Sequence, residues 1–197
     1  MAQEGGVAAL RVRAVARRAN VNLGMFHYHF KSRKAFLRRL LQETYEDFFA
    51  RLSLESSGTG GPRERLRRAL LTFGRFARDN RRLFLALLGD ALQGDRLTLD
   101  FAGRNIPRHA GVILGLVQEG QEAGELRRLP GPFVLSFVFP ALAGPGAVLS
   151  ILEKAGARRP FGRPLAELET TLLSDRALED RIDLLLTALA VPKGGRR

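Results

Sequence analysis

Apolar residues recur at three- and four-residue spacing along the chain, and nowhere does alternation of apolar and polar residues persist long enough for a strand. That periodicity restricts the fold to an all-α class, in which each helix buries one stripe against its neighbours. The spacing predicts helices over Leu10 to Ala19, Leu23 to Phe30, Arg33 to Leu54, Pro62 to Asp79, Arg81 to Leu92 and Asp175 to Ala190. It also predicts a broken helix from about Leu97 to Gly124 and one or two pieces across Pro132 to Ala155. The stretches ESSGTGGP (Glu55 to Pro62) and KAGARRPFGRPL (Lys154 to Leu165) are expected to be irregular.

Charge divides this helical chain unevenly. Of the 197 residues, the first 42 hold nine Lys or Arg against one acid, a net of +8; the other 155 hold 23 basic and 19 acidic groups, a net of only +4. Such a concentration marks the N-terminal part as the one that meets a polyanion. There are no cysteines, which excludes disulfides and thiolate metal sites and, with no export signal visible, fits a cytoplasmic protein. From Leu129 to Leu152 no residue is charged, which matches the length of a membrane span. Pro140, Gly144, Pro145 and Gly146 interrupt the run, and a buried core or dimer-interface helix is the better expectation.

The basic part has an internal pattern. At 100° per residue, Val12, Val15, Ala16 and Ala19 share one side of the first helix, and Arg11, Arg13, Arg17 and Arg18 the other. Asn20 to Asn22 is a tight turn, because Asn tolerates the left-handed conformation and Asn22 can cap the following helix; Val21 would fill the angle between the two helices. In that next helix Leu23, Phe26 and Phe30 fall on the packed side, which turns Gly24, Met25, Tyr28 and His29 outward, with His27 at the margin. This face suits a DNA major groove: Gly24 lets the backbone approach, Met25 can meet a thymine methyl, and Tyr28 can stack or donate to a phosphate or base edge.

Helix, three-residue turn, short helix and then Lys31, Arg33 and Lys34 form the order of a helix-turn-helix. The stretch VRAVARRANVNLGMFHYHFKSRKAFL (Val12 to Leu37) resembles the DNA-binding region of TetR-family transcriptional regulators, whose pattern runs roughly V-R-x-I-A-x-x-A-G-V-S-x-G-x-L-Y-x-H-F-x-S-K-x-x-L. Val12, Arg13, Ala16, Ala19, Val21, Gly24, His29, Phe30, Lys31, Ser32 and Leu37 match it, with conservative replacements at Val15, Phe26, Arg33 and Phe36.

The resemblance implies roles by position. Arg13 would touch phosphate or a base, Leu23, Met25 and Tyr28 would face bases, and Lys31 and Arg33 would hold the DNA backbone. His27 stands where a phosphate-contacting tyrosine is usual, which would make that contact pH-sensitive, and His29 would serve packing and phosphate together. Nine residues, MAQEGGVAA, precede Leu10, too few for the first helix the family carries; a start upstream of Met1 is the expectation, and loss of part of the DNA-binding domain the alternative.

The resemblance further implies a helix-turn-helix domain over residues 1–45, joined by the long helix to a ligand-binding and dimerisation domain over residues 46–197. That domain would dimerise through helices near 132–155 and 175–190. Most of the aromatics there are expected to be core, and Phe73, Phe76, Phe84, Phe101, His109, Phe133 and Phe137 are the candidate effector-binding residues.

Catalysis has no constellation to stand on. His27 and His29 lie about 200° apart around a helix and cannot share one metal, and no phosphate loop, G-x-S-x-G or H-E-x-x-H motif is present. Neither a metal nor a cofactor is expected. The expectation is a non-enzymatic, ligand-responsive repressor that binds a palindromic double-stranded operator as a homodimer at the nucleoid. It would be released by a small apolar or amphipathic effector and would not be a membrane protein. A basic helical RNA- or membrane-associated protein is the alternative.

Overall fold

The computed structural model describes residues 12–18, 20 and 22–192. The expectations on residues 1–11, Ala19 and Val21, including that on the position of the start, lie outside the described residues. The helices are α1 (Val12–Arg18), α2 (Leu23–Phe30), α3 (Arg33–Ser57), α4 (Pro62–Asp79), α5 (Arg81–Leu92), α6 (Arg96–Glu122), α7 (Gly131–Lys154), α8 (Leu165–Leu173) and α9 (Asp175–Leu189), with a 3-10 turn at Pro160–Gly162. Among the described residues the only β pairing is an isolated bridge between Leu126 and Ala190, so the all-α class holds.

Local chemistry explains most of the boundaries. Ser32, Asp95 and Ser174 accept hydrogen bonds from the backbone N–H groups of Ala35, Thr98 and Ala177, capping α3, α6 and α9. Pro62 opens α4, where its missing N–H removes no helical bond. A single residue, Asn80, separates α4 from α5, and its side-chain amide donates to the Phe76 carbonyl at 2.9 Å.

One expectation needs correction and one helix was missed. α6 is not broken: it runs through Pro107. Gly103, whose carbonyl the missing N–H would have met, is exposed together with Pro107, so water can take that bond. Of the one or two pieces expected across Pro132 to Ala155, the structure has one: α7 runs through Pro140 and Pro145. The missed helix is α8, with Leu165, Leu168, Leu172 and Leu173 packed with Leu149 of α7. Its short apolar pattern follows directly on the irregular basic stretch, which hid it.

The main core is built from α3, α4, α6, α7 and α9, with Leu52, Leu66, Leu70, Ile113, Leu126, Val134, Val138 and Ile182 almost wholly inaccessible. Gly74 allows α4 and α9 to meet closely, since a Cβ there would lie 2.6 Å from Leu178 Cδ1. A second cluster, Leu37, Leu41, Leu83 and Leu97, seats the N-terminal half of α3 on α5 and α6. The helix behind the turn region is thereby bound to the larger domain along its length. α7 is long and apolar enough to cross a membrane by length and composition, but Val134, Val138, Leu142 and Leu149 are buried in the helical bundle.

Candidate nucleic-acid interface and interior aromatic site

The turn between α1 and α2 forms as its residues dictate. Asn20 adopts φ 52°, the left-handed conformation that Asn accepts, and its N–H bonds to the Arg17 carbonyl at 3.2 Å. The Asn22 side-chain oxygen accepts from the Gly24 N–H at 2.9 Å and caps α2. Ala16 is buried beneath the turn while Arg13, Arg17 and Arg18 are exposed. Lys31 also takes a left-handed φ of 52° and reverses the chain into α3. The Phe30 and Phe36 rings meet edge to face at 4.9 Å, which holds α2 against α3.

This scaffold leaves a defined outer face. Tyr28 is 84% exposed and Met25 54%, although both are large apolar or aromatic groups that burial would favour. Gly24, His29, Lys31 and Arg33 are exposed as well, and Tyr28 stands edge-on to His29 with ring centroids 5.3 Å apart. The structure thus brings Arg13, Asn22, Gly24, Met25, Tyr28, His29, Lys31 and Arg33 onto two short helices, the turns beside them and the first residue of α3. The side chains of Leu23 and His27 lie outside the described residues.

A second site occupies the interior between α3, α4, α6 and α7. His109 is ringed by Tyr45, Phe48, Phe73 and Phe139 at centroid distances of 6.0, 6.0, 5.7 and 5.5 Å. Burial among these rings pushes its pKa down to about 4, so the imidazole is neutral at physiological pH. Phe76 stacks on Phe48 at 4.2 Å, Phe84 meets Phe76 at 5.5 Å, and Phe101 meets Tyr45 at 6.0 Å. Five of the seven candidate effector residues, Phe73, Phe76, Phe84, Phe101 and His109, therefore gather around one interior. Phe133 and Phe137 do not join them: both are at least half exposed, on the outer face of α7.

Sequence reasoning missed the partners that complete this interior. Tyr45, Phe48 and Phe49 follow each other at helical spacing on α3, as do Asn105, Arg108 and His109 on α6, and the two triplets meet face to face. The Tyr45 hydroxyl donates to the Asn105 carbonyl at 2.8 Å and lies 3.4 Å from His109 Nδ1; its burial raises its pKa to about 12. Arg108 donates to both oxygens of Glu46 at 2.6 and 2.9 Å, and its guanidinium lies 4.1 Å from the Phe49 ring centroid. These hydrogen bonds hold the Glu46 carboxyl at a pKa of about 2. Gln42 and Asn105 exchange amide hydrogen bonds at 3.3 and 3.2 Å.

The exposed helix-turn-helix and the helical body with its aromatic interior share one long helix, α3. Residues 1–40 match the family model described as bacterial regulatory proteins, tetR family, and bear out the resemblance carried by Val12 to Leu37. The whole chain has the fold of TetR-family regulators. It superimposes on the ketosteroid transcriptional regulator KstR2 of Mycobacterium tuberculosis with a TM-score of 0.65 and 19% identity, covering 98% of this chain and 90% of that one. For the transcriptional regulator FadR of Bacillus subtilis in complex with stearoyl-CoA, the TM-score is 0.70 and the identity 15%, over 95% and 93% of the two chains. A regulator from Saccharomonospora viridis in complex with choline gives 0.67 and 20%, over 92% and 89%. At these identities the likeness is one of fold. Among curated protein sequences none is significantly similar to the chain. The matched family is one of transcription regulators and not of enzymes.

Proposed function

We propose that the protein is a ligand-responsive transcriptional repressor that binds a palindromic operator as a homodimer and is released by a small apolar or amphipathic effector. The observation that carries this is the outer face of α2, where Gly24, Met25 and Tyr28 stand exposed between the cations of α1 and those of the turn into α3. An exposed Tyr and Met on a short helix flanked by phosphate-binding cations on both sides suit base reading better than a plain solvated surface, where such groups occur without the flanking cations. Residues 1–45 form the DNA-binding domain and residues 46–197 the effector-binding and dimerisation domain. The aromatic interior around His109 is the effector site, and the ligands bound by the Bacillus and Saccharomonospora proteins support a small organic molecule there.

The dimer forms through α7 and α9. Phe133, Phe137, Val148 and Ile151 on α7 and Leu184 on α9 are exposed apolar groups on neighbouring helices, and a second copy would cover them. The protein acts in the cytoplasm, at the nucleoid. A nuclease-protection footprint on the DNA flanking its own gene tests the proposal: two protected half-sites related by a dyad are expected. Uniform, salt-sensitive retention with no protected bases would instead favour a non-specific basic RNA- or membrane-associated protein.

A further inference from the structure

An open groove of about 750 Å³ runs between the N-terminal half of α3 and the middle of α6. Arg38, Arg39 and Gln42 line it from α3, and Arg104, Asn105 and Arg108 from α6. The one carboxylate in its wall, Glu43, is engaged by Arg39 at 2.7 Å, and Arg108 is engaged by Glu46 just outside it. Arg38 and Arg104 are exposed and have no carboxylate partner among the described residues. Four guanidinium groups thus face a concavity that holds a single, already paired acid. Guanidinium forks match the planar oxygens of carboxylate and phosphate, and two of the four are available without breaking any existing pair.

The groove borders the aromatic interior through Asn105 and Arg108. Asn105 is buried at its floor and takes the Tyr45 hydroxyl on its carbonyl, while the Arg108 guanidinium lies over the rings of Phe49 and Tyr45. Arg108 is therefore both a wall of the groove and the cover over the rings behind it. If its guanidinium exchanges Glu46 for an incoming anion, the faces of Phe49 and Tyr45 are uncovered for an apolar chain attached to that anion.

We infer that this groove binds the anionic head, phosphate or carboxylate, of an effector whose apolar tail enters the aromatic interior. This rests on the regulator reading above and deepens it, because one wall of the groove is α3, the helix on which α2 packs through Phe30 and Phe36. An occupant held by Arg38 and Arg104 together ties the N-terminal half of α3 to α6.

The test is direct calorimetric binding to the full chain, without DNA, of dodecyl phosphate, dodecanoate, dodecanol and inorganic phosphate, each below its micelle concentration. At least one of the two charged amphiphiles should bind about tenfold or more tightly than dodecanol, and which one does so identifies the head group. Arg38→Ala and Arg104→Ala should each weaken that binding about tenfold, leave dodecanol binding unchanged and leave Tm unchanged. Equal affinity for dodecanol and both charged amphiphiles would overturn the inference, as would unaltered binding in both variants. So would loss of operator affinity in Arg104→Ala with amphiphile binding intact, since the arginines would then serve DNA. Because binding is read without DNA, a chain that gives its footprint but fails these titrations refutes the groove alone; one that passes them without a footprint refutes the repressor alone.

Discussion

His109 carries the most distinctive pH signature of any single residue described. Its pKa is pushed down to about 4 in the folded protein, against an ordinary value of 6.5, so between those values the unfolded chain binds a proton that the native state refuses. Stability is therefore fully present above pH 6.5 and falls as the pH drops, by about 1.4 kcal/mol per unit at most, until pH 4. Glu46, held near 2 by Arg108, begins to weigh only below its ordinary value of 4.5, which leaves pH 4.5 to 6.5 as a window for His109. Urea titrations across that window should show the decline in the wild type and a flatter profile in His109→Gln. Parallel profiles would mean that the imidazole is not shielded as its surroundings indicate. On the DNA side, Tyr28→Ala and Arg13→Ala remove exposed groups with no part in the core, so operator affinity should drop by about 1 to 3 kcal/mol each at constant salt while Tm stays within a degree or two. Asn20, Asn22 and Tyr28 were all legible in the sequence, because capping, left-handed turns and helical direction depend on residues close in the chain. His109 was legible only as an aromatic-like candidate; its four ring neighbours come from three other helices.

At the level of elements, α3 is the part on which the others depend. Its first turn is capped by Ser32, its N-terminal half packs through Leu37 and Leu41, and its C-terminal half contributes Tyr45, Phe48 and Leu52 to the main core. The helix α2 is thus attached to an element that is packed in both of its halves. Gly74 shows how tightly the helices behind it are set: a methyl group there would lie 2.6 Å from the Leu178 side-chain Cδ1, and Leu178 is itself buried, which leaves that side chain little room to turn away. Gly74→Ala should cost about 1 to 3 kcal/mol in urea unfolding despite the higher helix propensity of alanine. An unchanged or raised midpoint would show that the Leu178 side chain can repack around the added methyl. Element existence was readable over most of the chain, down to both ends of α2, α4 and α5. Pro107 misled the reading of α6, because a helix held by neighbours on one side tolerates the loss of a bond on its exposed side.

For the whole molecule, the exposed apolar stripe of α7 beside Leu184 of α9 argues for a second copy. Phe137 is 57% exposed and Phe133 50%, and their rings meet at 5.6 Å with nothing else of the described chain to cover them fully. Phe137→Asp should convert a dimer to a monomer in sedimentation at micromolar concentration, and it should weaken operator binding even though the reading helix is untouched. A dimer that survives this change would place the interface elsewhere. In an operator complex the two reading helices would sit about 34 to 36 Å apart, one helical turn of DNA, which fixes the half-site spacing a footprint should show. The sequence by itself determined that the chain is helical, where its basic module lies, and which residues of that module point outward, since all of these follow from periodicity and charge within a few turns. Only the tertiary structure decided which aromatics share an interior, that Phe133 and Phe137 face outward, and that Arg38 and Arg104 confront each other across one groove. Each of those is a meeting of two helix faces, and which faces meet is set by how whole helices pack, a quantity no local stretch of residues contains.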